Sequence, residues 1–447
     1  MAYNKKVVAV AVVIIVIVAA VAAAFAAGVF DKNDSGSASI DSQLQVMGNA
    51  DLDYKIDSND AQIIQDILDG SKSFSDYPYA DANNDGQITQ ADLDQVNSMI
   101  AHTQTYVNVV CVGTDDNQTV VQVAYPLTNI VIQGTNNDSI ICEIDAASVV
   151  AGYFYKYSVA HSGLDSATNL GGSARSVSAT AWQNFMDLDA SIEGGVGAII
   201  ADAGSSALSN YYDAIATSEI PLLRFAVSDT YDSISAAVTI GYLCGQTYEE
   251  KAISYAQKCW DAFDYISERI SGLSDDQKKV FVAITMGKYI AKTESDYTHK
   301  AEYAGGLSLG DVNAQFAADY GGTGSSVMSS GEALSNYDDE IDYILSFRTI
   351  DYKTSLATAA EEEWAEYMSF YQNLSCYENL VIINGMLPQI CQTAYAAAIM
   401  YPELFSMEWA DSLLQSFITD SSSMGGVSFD DIITVFTYED YQSVVNA

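Results

Sequence analysis

Residues 81–92 read Asp-Ala-Asn-Asn-Asp-Gly-Gln-Ile-Thr-Gln-Ala-Asp, a pattern suited to wrapping a hard divalent cation. Oxygen side chains stand at positions one, three, five and twelve: Asp81, Asn83, Asp85 and Asp92. Gly86 at position six takes the sharp turn. Gln87 at seven offers its backbone carbonyl, and Ile88 at eight plugs the loop into a core. Calcium is the expected cofactor, because a hard cation prefers oxygen ligands of this kind. The pattern recurs upstream over 49–60, where Asn49, Asp51, Asp53, Lys55 (through its carbonyl) and Asp60 hold the matching positions. In that loop Tyr54 replaces the turn glycine and Asn49 replaces the first aspartate. The upstream loop is therefore expected to be strained and to bind weakly or not at all.

Arginine is scarce, with Arg175, Arg224, Arg269 and Arg348 the full set among 447 residues. A guanidinium group can fork onto carboxylate or catecholate oxygens of an anionic ligand. Arg175, Arg224 and Arg348 are candidates for that chemistry, with pairing to a nearby acid such as Asp229 or Asp351 as the alternative. Tyr289 is a candidate aromatic wall, and Trp182 and His299 are weaker ones. Three scattered histidines do not make a bare-metal site. The sequence has no GxSxG, no Walker loop, no HExxH and no CxxC, so nothing in it points to an enzyme.

These residues must be positioned by regular elements. Residues 61–68 and 93–100 read as short amphipathic helices, one after each loop. Residues 105–123 alternate apolar and polar about Thr114-Asp-Asp-Asn, which predicts a β-hairpin. Strands are predicted at 129–133, 197–201 and 221–225, with helical stretches at 146–157, 182–188 and 207–216. Over 248–270, Ala252, Tyr255, Cys259, Trp260, Phe263, Ile266 and Ile270 recur three or four residues apart, the spacing of one helical face. Such a helix reaches roughly 35 Å at ~1.5 Å per residue. Beyond it the alternation restarts, with strands at 280–285, 342–347 and 379–383. Helices are expected at 312–320, 332–336, 357–372, 387–401 and 408–417. Short apolar strands alternating with helices predict a parallel α/β lobe on each side of the long helix.

The bulk numbers bound the rest. The net charge is −41, from 59 acids against 18 Lys and Arg, and such a surface repels phosphate backbones, so nucleic acid is not an expected partner. The six cysteines allow three disulfides in an exported chain or six buried free thiols. Lys5 and Lys6 precede an uncharged apolar run over 7–30, and Asp31 and Asp34 follow it. That run is long enough to span a membrane, with the body outside the cytoplasm. A cleaved signal is the alternative, since Ala24-Phe25-Ala26 is a passable cleavage site.

The duplicated loops, with Asp at position twelve and one helix after each, resemble a dockerin type I module over 47–102. That resemblance implies docking to a cohesin-like protein through Ser58, Asn59, Gln90 and Ala91, though the second pair departs from the usual Ser/Thr. A calcium module packed on its own chain is the other reading. Residues 105–417 resemble the periplasmic binding proteins whose two lobes are joined by one long helix, the class that serves importers of ferric siderophores, haem and cobalamin. The matching pieces are the hairpin and Pro126 before the first strand, Ser173-Ala-Arg175-Ser-Val-Ser, Tyr248-Glu-Glu-Lys-Ala, Gly305-Gly306, Ser330-Gly-Glu332-Ala-Leu and Tyr401-Pro-Glu-Leu-Phe405.

The resemblance implies an iron chelate or cobalamin held in a cleft between lobes, and an ABC permease as partner. It implies Glu332 as a permease contact, for which helix N-terminal charge compensation is the alternative. The expected fold class is α/β, two α/β lobes joined by a long helix, preceded by a small all-α paired calcium-loop module and a transmembrane helix. The expected boundaries are an anchor or signal at 1–30, a linker at 31–46, the module at 47–102, lobe one at 103–235, the connecting helix at 236–275 and lobe two at 276–447. The expected location is the cell membrane. A cell-surface protein acting through calcium-dependent docking is the alternative function.

Overall fold

A computed structural model describes residues 44–156, 162–285, 289–322, 327–328, 331–352, 354–422 and 427–446. The apolar run at 7–30 lies outside these residues. Among the described residues no helix is long and apolar enough to cross a membrane. The chain divides into two compact units. The first holds the described residues up to Lys156 with Leu164–Val227 and Tyr231–Ala256, and the second holds residues 162–163, Ser228–Thr230 and the described residues from Gln257 onward.

The first unit begins with the paired loops and their helices, α1 (Ser58–Leu68) and α2 (Gln90–Ile100). Asp57 and Thr89 are the N-caps, and in each case the loop's position-twelve aspartate closes a capping box from N3. Asp60 and Asp92 thus end the loop and start the helix with one carboxylate. The hairpin β1 (Tyr106–Val112) and β2 (Gln118–Ala124) follows, in the predicted register about its turn.

The module is not a separate bead. Met47 donates its N–H to Asn108 O (2.8 Å), Val110 donates to Gln45 O (2.9 Å), and Val46 bridges Val109, so 45–47 acts as a third strand on β1. Met47, Tyr79 and Val110 close a small shared core beneath it. Gln45 also bonds Thr239 and Ser235 through its backbone and side-chain nitrogens.

The rest of the unit is a parallel sheet in the order β5-β4-β3-β6-β7, built from β3 (Ile130–Gln133), β4 (Val150–Tyr153), β5 (Thr168–Asn169), β6 (Ile199–Asp202) and β7 (Leu222–Phe225). Helices α3 (Thr135–Glu143), α4 (Ala179–Ser191), α5 (Tyr212–Ser218) and α6 (Thr230–Leu243) complete it. The helix expected over 146–157 is not there. Its β-branched centre pairs in parallel with β3, Val150 beside Ile130, and forms β4. The helix lies just upstream instead, as α3.

Helix α7 (Gln246–Ile270) runs as one continuous element, with its residues to Ala256 counted in the first unit and those from Gln257 in the second. Its predicted apolar face is the buried one: Ala252, Tyr255, Cys259, Trp260, Phe263 and Ile266 are all buried.

The second unit is a mixed sheet in the order β11-β9-β8-β12-β13-β14, with β10 beside β8. Its strands are β8 (Val280–Thr285), β9 (Tyr289–Ile290), β10 (Leu307–Ser308), β11 (Val327–Met328), β12 (Tyr343–Arg348), β13 (Leu380–Asn384) and β14 (Val435–Phe436). Strands β8, β12 and β13 pair in parallel.

Around them lie α8 (Asp296–Tyr303), α9 (Leu309–Val312), α10 (Ala314–Tyr320) and α11 (Gly331–Leu334). Further on, α12 (Leu356–Ala359) leads through a π turn over Ala360–Trp364 into α13 (Ala365–Tyr371). Helices α14 (Gln389–Met400), α15 (Met407–Asp420) and α16 (Tyr438–Val445) finish the unit. Trp364, Tyr367 and Tyr371 fill its core with Ile344 and Ile382. Tyr401 is fully buried; its hydroxyl accepts from Lys279 N–H (2.9 Å) and donates to Gly305 O (2.8 Å). All six cysteines are buried free thiols, which decides against the disulfide alternative.

Candidate functional site

The downstream loop is closed by its own oxygen side chains. Asp81 accepts N–H bonds from Asp85 (3.1 Å) and Gly86 (2.7 Å), Asn83 accepts from Asp85 (2.9 Å), and Asp85 accepts from Gln87 (3.0 Å). Asp92 crosses back to accept from Asn83 (3.2 Å) and Thr89 (2.8 Å). Gly86 sits at φ +88°, the left-handed region that a side chain disfavours. Asp81 and Asp92 are fully buried. Burial pushes the Asp81 carboxyl up to about 6, and the neighbouring Asp92 and Asp85 push the same way against the backbone donors. Among the described residues no three His, Cys, Asp or Glu side chains are gathered closely enough to hold a metal by themselves. The loop's remaining donors are the Asn83 amide oxygen and the Gln87 carbonyl. This set of oxygens, with mutually repelling buried carboxylates, fits calcium.

The upstream loop is wound differently. Asn49 turns its amide nitrogen to Leu44 O (2.8 Å) and Asp53 O (2.7 Å), leaving its oxygen buried without a hydrogen bond. Asp60 accepts from Ala50 (2.7 Å) and Asp57 (2.7 Å), and burial pushes its carboxyl up to about 7. Asp53 is pushed up to about 6, again chiefly by burial. The Lys55 ammonium turns to Asp57 (2.7 Å), and Asp51 is exposed. Position one carries a neutral amide where the downstream loop has Asp81, so these residues fit a cation less well. The docking candidates Ser58, Asn59, Gln90 and Ala91 are all exposed.

The arginines separate. Arg224, on β7, is 4% exposed. Its guanidinium donates to Gly113 O, Ala203 O (2.6 Å) and Asp116 (3.1 Å) and lies 5.6 Å from the centre of the Tyr212 ring. It ties the hairpin turn to the end of the sheet. Arg348, at the end of β12, donates from Nε to Glu363 (2.8 Å), so an acid partner is present, though not the Asp351 expected from sequence. Arg175 is exposed in the turn closed by Ser173 and Ser176.

Trp182 packs within the first unit, stacked on Tyr211 with ring centres 4.6 Å apart. Tyr289 stands half-buried on β9, opposite Thr285. His299 is engaged through Nδ1 with Asp229 (2.9 Å), which also accepts from the Tyr303 hydroxyl (2.9 Å). Lys300 beside them is buried, and that burial pushes its ammonium down against the pull of Asp296 and Asp229. Sequence reasoning named His299, and Asp229 only as a possible arginine partner, but missed Tyr303 and Lys300; the i, i+4 spacing of His299 and Tyr303 was the available signal. Glu332 lies in α11, and its side chain is outside the described residues.

No family model matches the chain, and no curated protein matches it either. Solved structures do. A periplasmic solute-binding protein from Veillonella parvula matches at 12% identity over 75% of this chain and 99% of its own, with a TM-score of 0.51. The chain has the fold of a two-lobed periplasmic binding protein. Helicobacter pylori CeuE, solved with Ni(II) bound, matches at 12% identity over 75% of this chain and 99% of its own, with a TM-score of 0.50. MolA, a molybdate periplasmic binding protein of a Haemophilus influenzae ABC transporter, matches at 10% identity over 70% and 97%, also at 0.50. At these identities the likeness is one of fold.

Proposed function

We propose that this chain is an extracytoplasmic solute-binding protein that delivers a small metal-containing solute to an ABC permease. An iron chelate of siderophore or haem type, or cobalamin, is the solute class we favour. The observation that carries the reading is architectural: two α/β units, each with a parallel sheet core, share the single helix α7. Two of the compared structures hold Ni(II) and molybdate, which supports a metal-containing solute. Of the sequence candidates, Arg175 is exposed and Tyr289, Arg348, His299 and Trp182 are half-buried, and Glu332 is retained as the permease contact. The apolar run at 7–30 serves as the membrane anchor in this reading.

The calcium loop at 81–92 takes one ion, bound by Asp81, Asn83, Asp85, Gln87 and Asp92. The second reading, docking in trans to a cohesin-like protein, keeps one observation in its favour, the exposure of Ser58, Asn59, Gln90 and Ala91.

Thermal shift of the purified chain against ferric chelates, haem and cobalamin tests the proposal, with and without calcium. A ligand at 100 to 1,000 times Kd raises stability by roughly 3–4 kcal/mol. A shift with one solute class supports the receptor. A shift with calcium alone, and none across the panel, overturns that solute assignment and moves the weight to docking. Calorimetric titration with calcium should give one ion per chain; two would overturn the unequal roles of the loops.

A further inference from the structure

The hairpin of the first unit grips the downstream loop from one side. Alternation along β1 and β2, with Asn108 opposite Gln122 and Val110 opposite Val120, sends the even-numbered side chains of both strands to the same face. Asn108, Val110 and Gln118 on that face reach the segment that enters the loop. Asn108 donates from Nδ2 to Ala82 O (2.9 Å), and its Oδ1 accepts from Gln122 Nε2 on β2 (3.3 Å). Gln118 donates to the Tyr79 hydroxyl (3.3 Å), and Val110 closes the small core with Met47 and Tyr79. Tyr79, Ala82 and Asn108 are each no more than 2% exposed.

One peptide unit carries the connection. The link from Ala82 to Asn83 lies between the first and third positions of the loop. Its carbonyl accepts from Asn108, and its N–H donates to Asp92, the position-twelve carboxylate (3.2 Å). Asp92, Asn108 and Gln122 are thereby joined in series through a single rigid amide plane.

We propose that Asn108 is a positioning residue for the cation loop, and that calcium held at 81–92 braces the hairpin through it. The inference rests on the calcium reading of that loop. Asp81, Asn83, Asp85 and Asp92 must present their oxygens at set distances from one ion, and the backbone between them has to be fixed for that. Asp81 and Asp92 are both fully buried, and two buried carboxylates repel each other. A cation removes that repulsion. The 82–83 plane then holds its place, and with it the Asn108 side chain and its bond to β2. Groups that orient a metal ligand commonly set affinity by about 10- to 100-fold. The coupling is reciprocal: whatever the hairpin adds to calcium affinity, calcium adds to the hairpin. Calcium is then an internal brace of the first unit.

Hydrogen exchange of the full chain with and without calcium tests this, beside calorimetric titration with calcium. In the parent, calcium should slow exchange over 81–92 and also, by about fivefold or more, over 106–124. Asn108→Ala should weaken calcium binding by about tenfold or more. It should also abolish the slowing over 106–124 while keeping it over 81–92. Gln122→Ala changes an exposed side chain and should show the same effects in smaller measure. The parent comparison needs no variant: slowing confined to 81–92 would mean that the hairpin is insulated from the loop, and would overturn the brace while leaving the calcium reading intact. Unchanged calcium affinity in Asn108→Ala would overturn the positioning role in the same way. No heat of binding and no slowing anywhere would overturn the calcium reading itself, and the brace with it.

Discussion

Replacing Arg224 with Met separates the two roles that an arginine at the end of β7 could play. The structure makes it a strut: its guanidinium is buried and supplies the donors for Gly113 O in the hairpin turn and Ala203 O after β6. Methionine keeps much of the stem packing and removes the donors. Ala203 O is left without that donor, which costs roughly 1–3 kcal/mol, while Gly113 O keeps the Asp116 N–H (3.0 Å) and loses about 0.5–1.5 kcal/mol. The Asp116 pairing adds less than about 1 kcal/mol, because that carboxylate is 80% exposed. The expected loss is therefore about 2–5 kcal/mol, which for a unit of this size lowers Tm by roughly 4–20 °C. Differential scanning calorimetry reads the loss, and hydrogen exchange should show it first at the hairpin amides. Asp116→Asn serves as the control and should move Tm by no more than about 3 °C. A Met variant that melts within about 2 °C of the parent yet loses solute affinity would refute the strut and restore the ligand role.

Tyr401→Phe removes one hydroxyl and orphans both Lys279 N–H and Gly305 O, so it should cost about 2–4 kcal/mol in denaturant unfolding. Gly241→Ala should destabilise by about 1–3 kcal/mol or more in the same assay, since a Cβ there would lie 2.3 Å from the Ala252 Cβ and 2.8 Å from Tyr248 O, where α6 meets α7. Thiol titration should find no fast-reacting cysteine in the native chain and all six after denaturation without reductant; fewer than six would contradict the free-thiol assignment.

Much of the fold was legible because its signals are local. The hairpin announced itself by apolar strands about a polar turn, α7 by seven apolar residues at helical spacing, and the turn at 81–92 by oxygen side chains around one glycine. The failures have a common cause. Residues 146–157 are apolar without a decisive period, and a short apolar run serves a helix or a buried strand equally until its partner is known. Here the partner is β3. Helices α3 and α8 were missed because Thr135–Glu143 is divided between a polar half and an apolar half, and Asp296–Tyr303 is polar over most of its length. The partners of the site candidates were hidden in the same way. Arg224 looked like an anion contact because its acid partner lies 108 residues earlier in the chain, and nothing local points to it. Glu363 answers Arg348 from a helix 15 residues on, beyond the reach of i, i+4 reasoning. His299 was picked by residue type alone, and its carboxylate partner arrives from a distant segment.

The strand-like contact of residues 45–47 with β1 bears on how this gene can be rearranged. A calcium-loop module joined by a linker can be cut out, transplanted or lost without harming its neighbour. Here excision at residue 103 would strip the cover from Val109 and leave Asn108 and Val110 backbone groups bare along a strand whose five central residues are buried. An apolar edge of that kind templates aggregation. The module and the first unit are therefore expected to be inherited, expressed and purified together, and a shortened chain should be recovered mainly as insoluble protein.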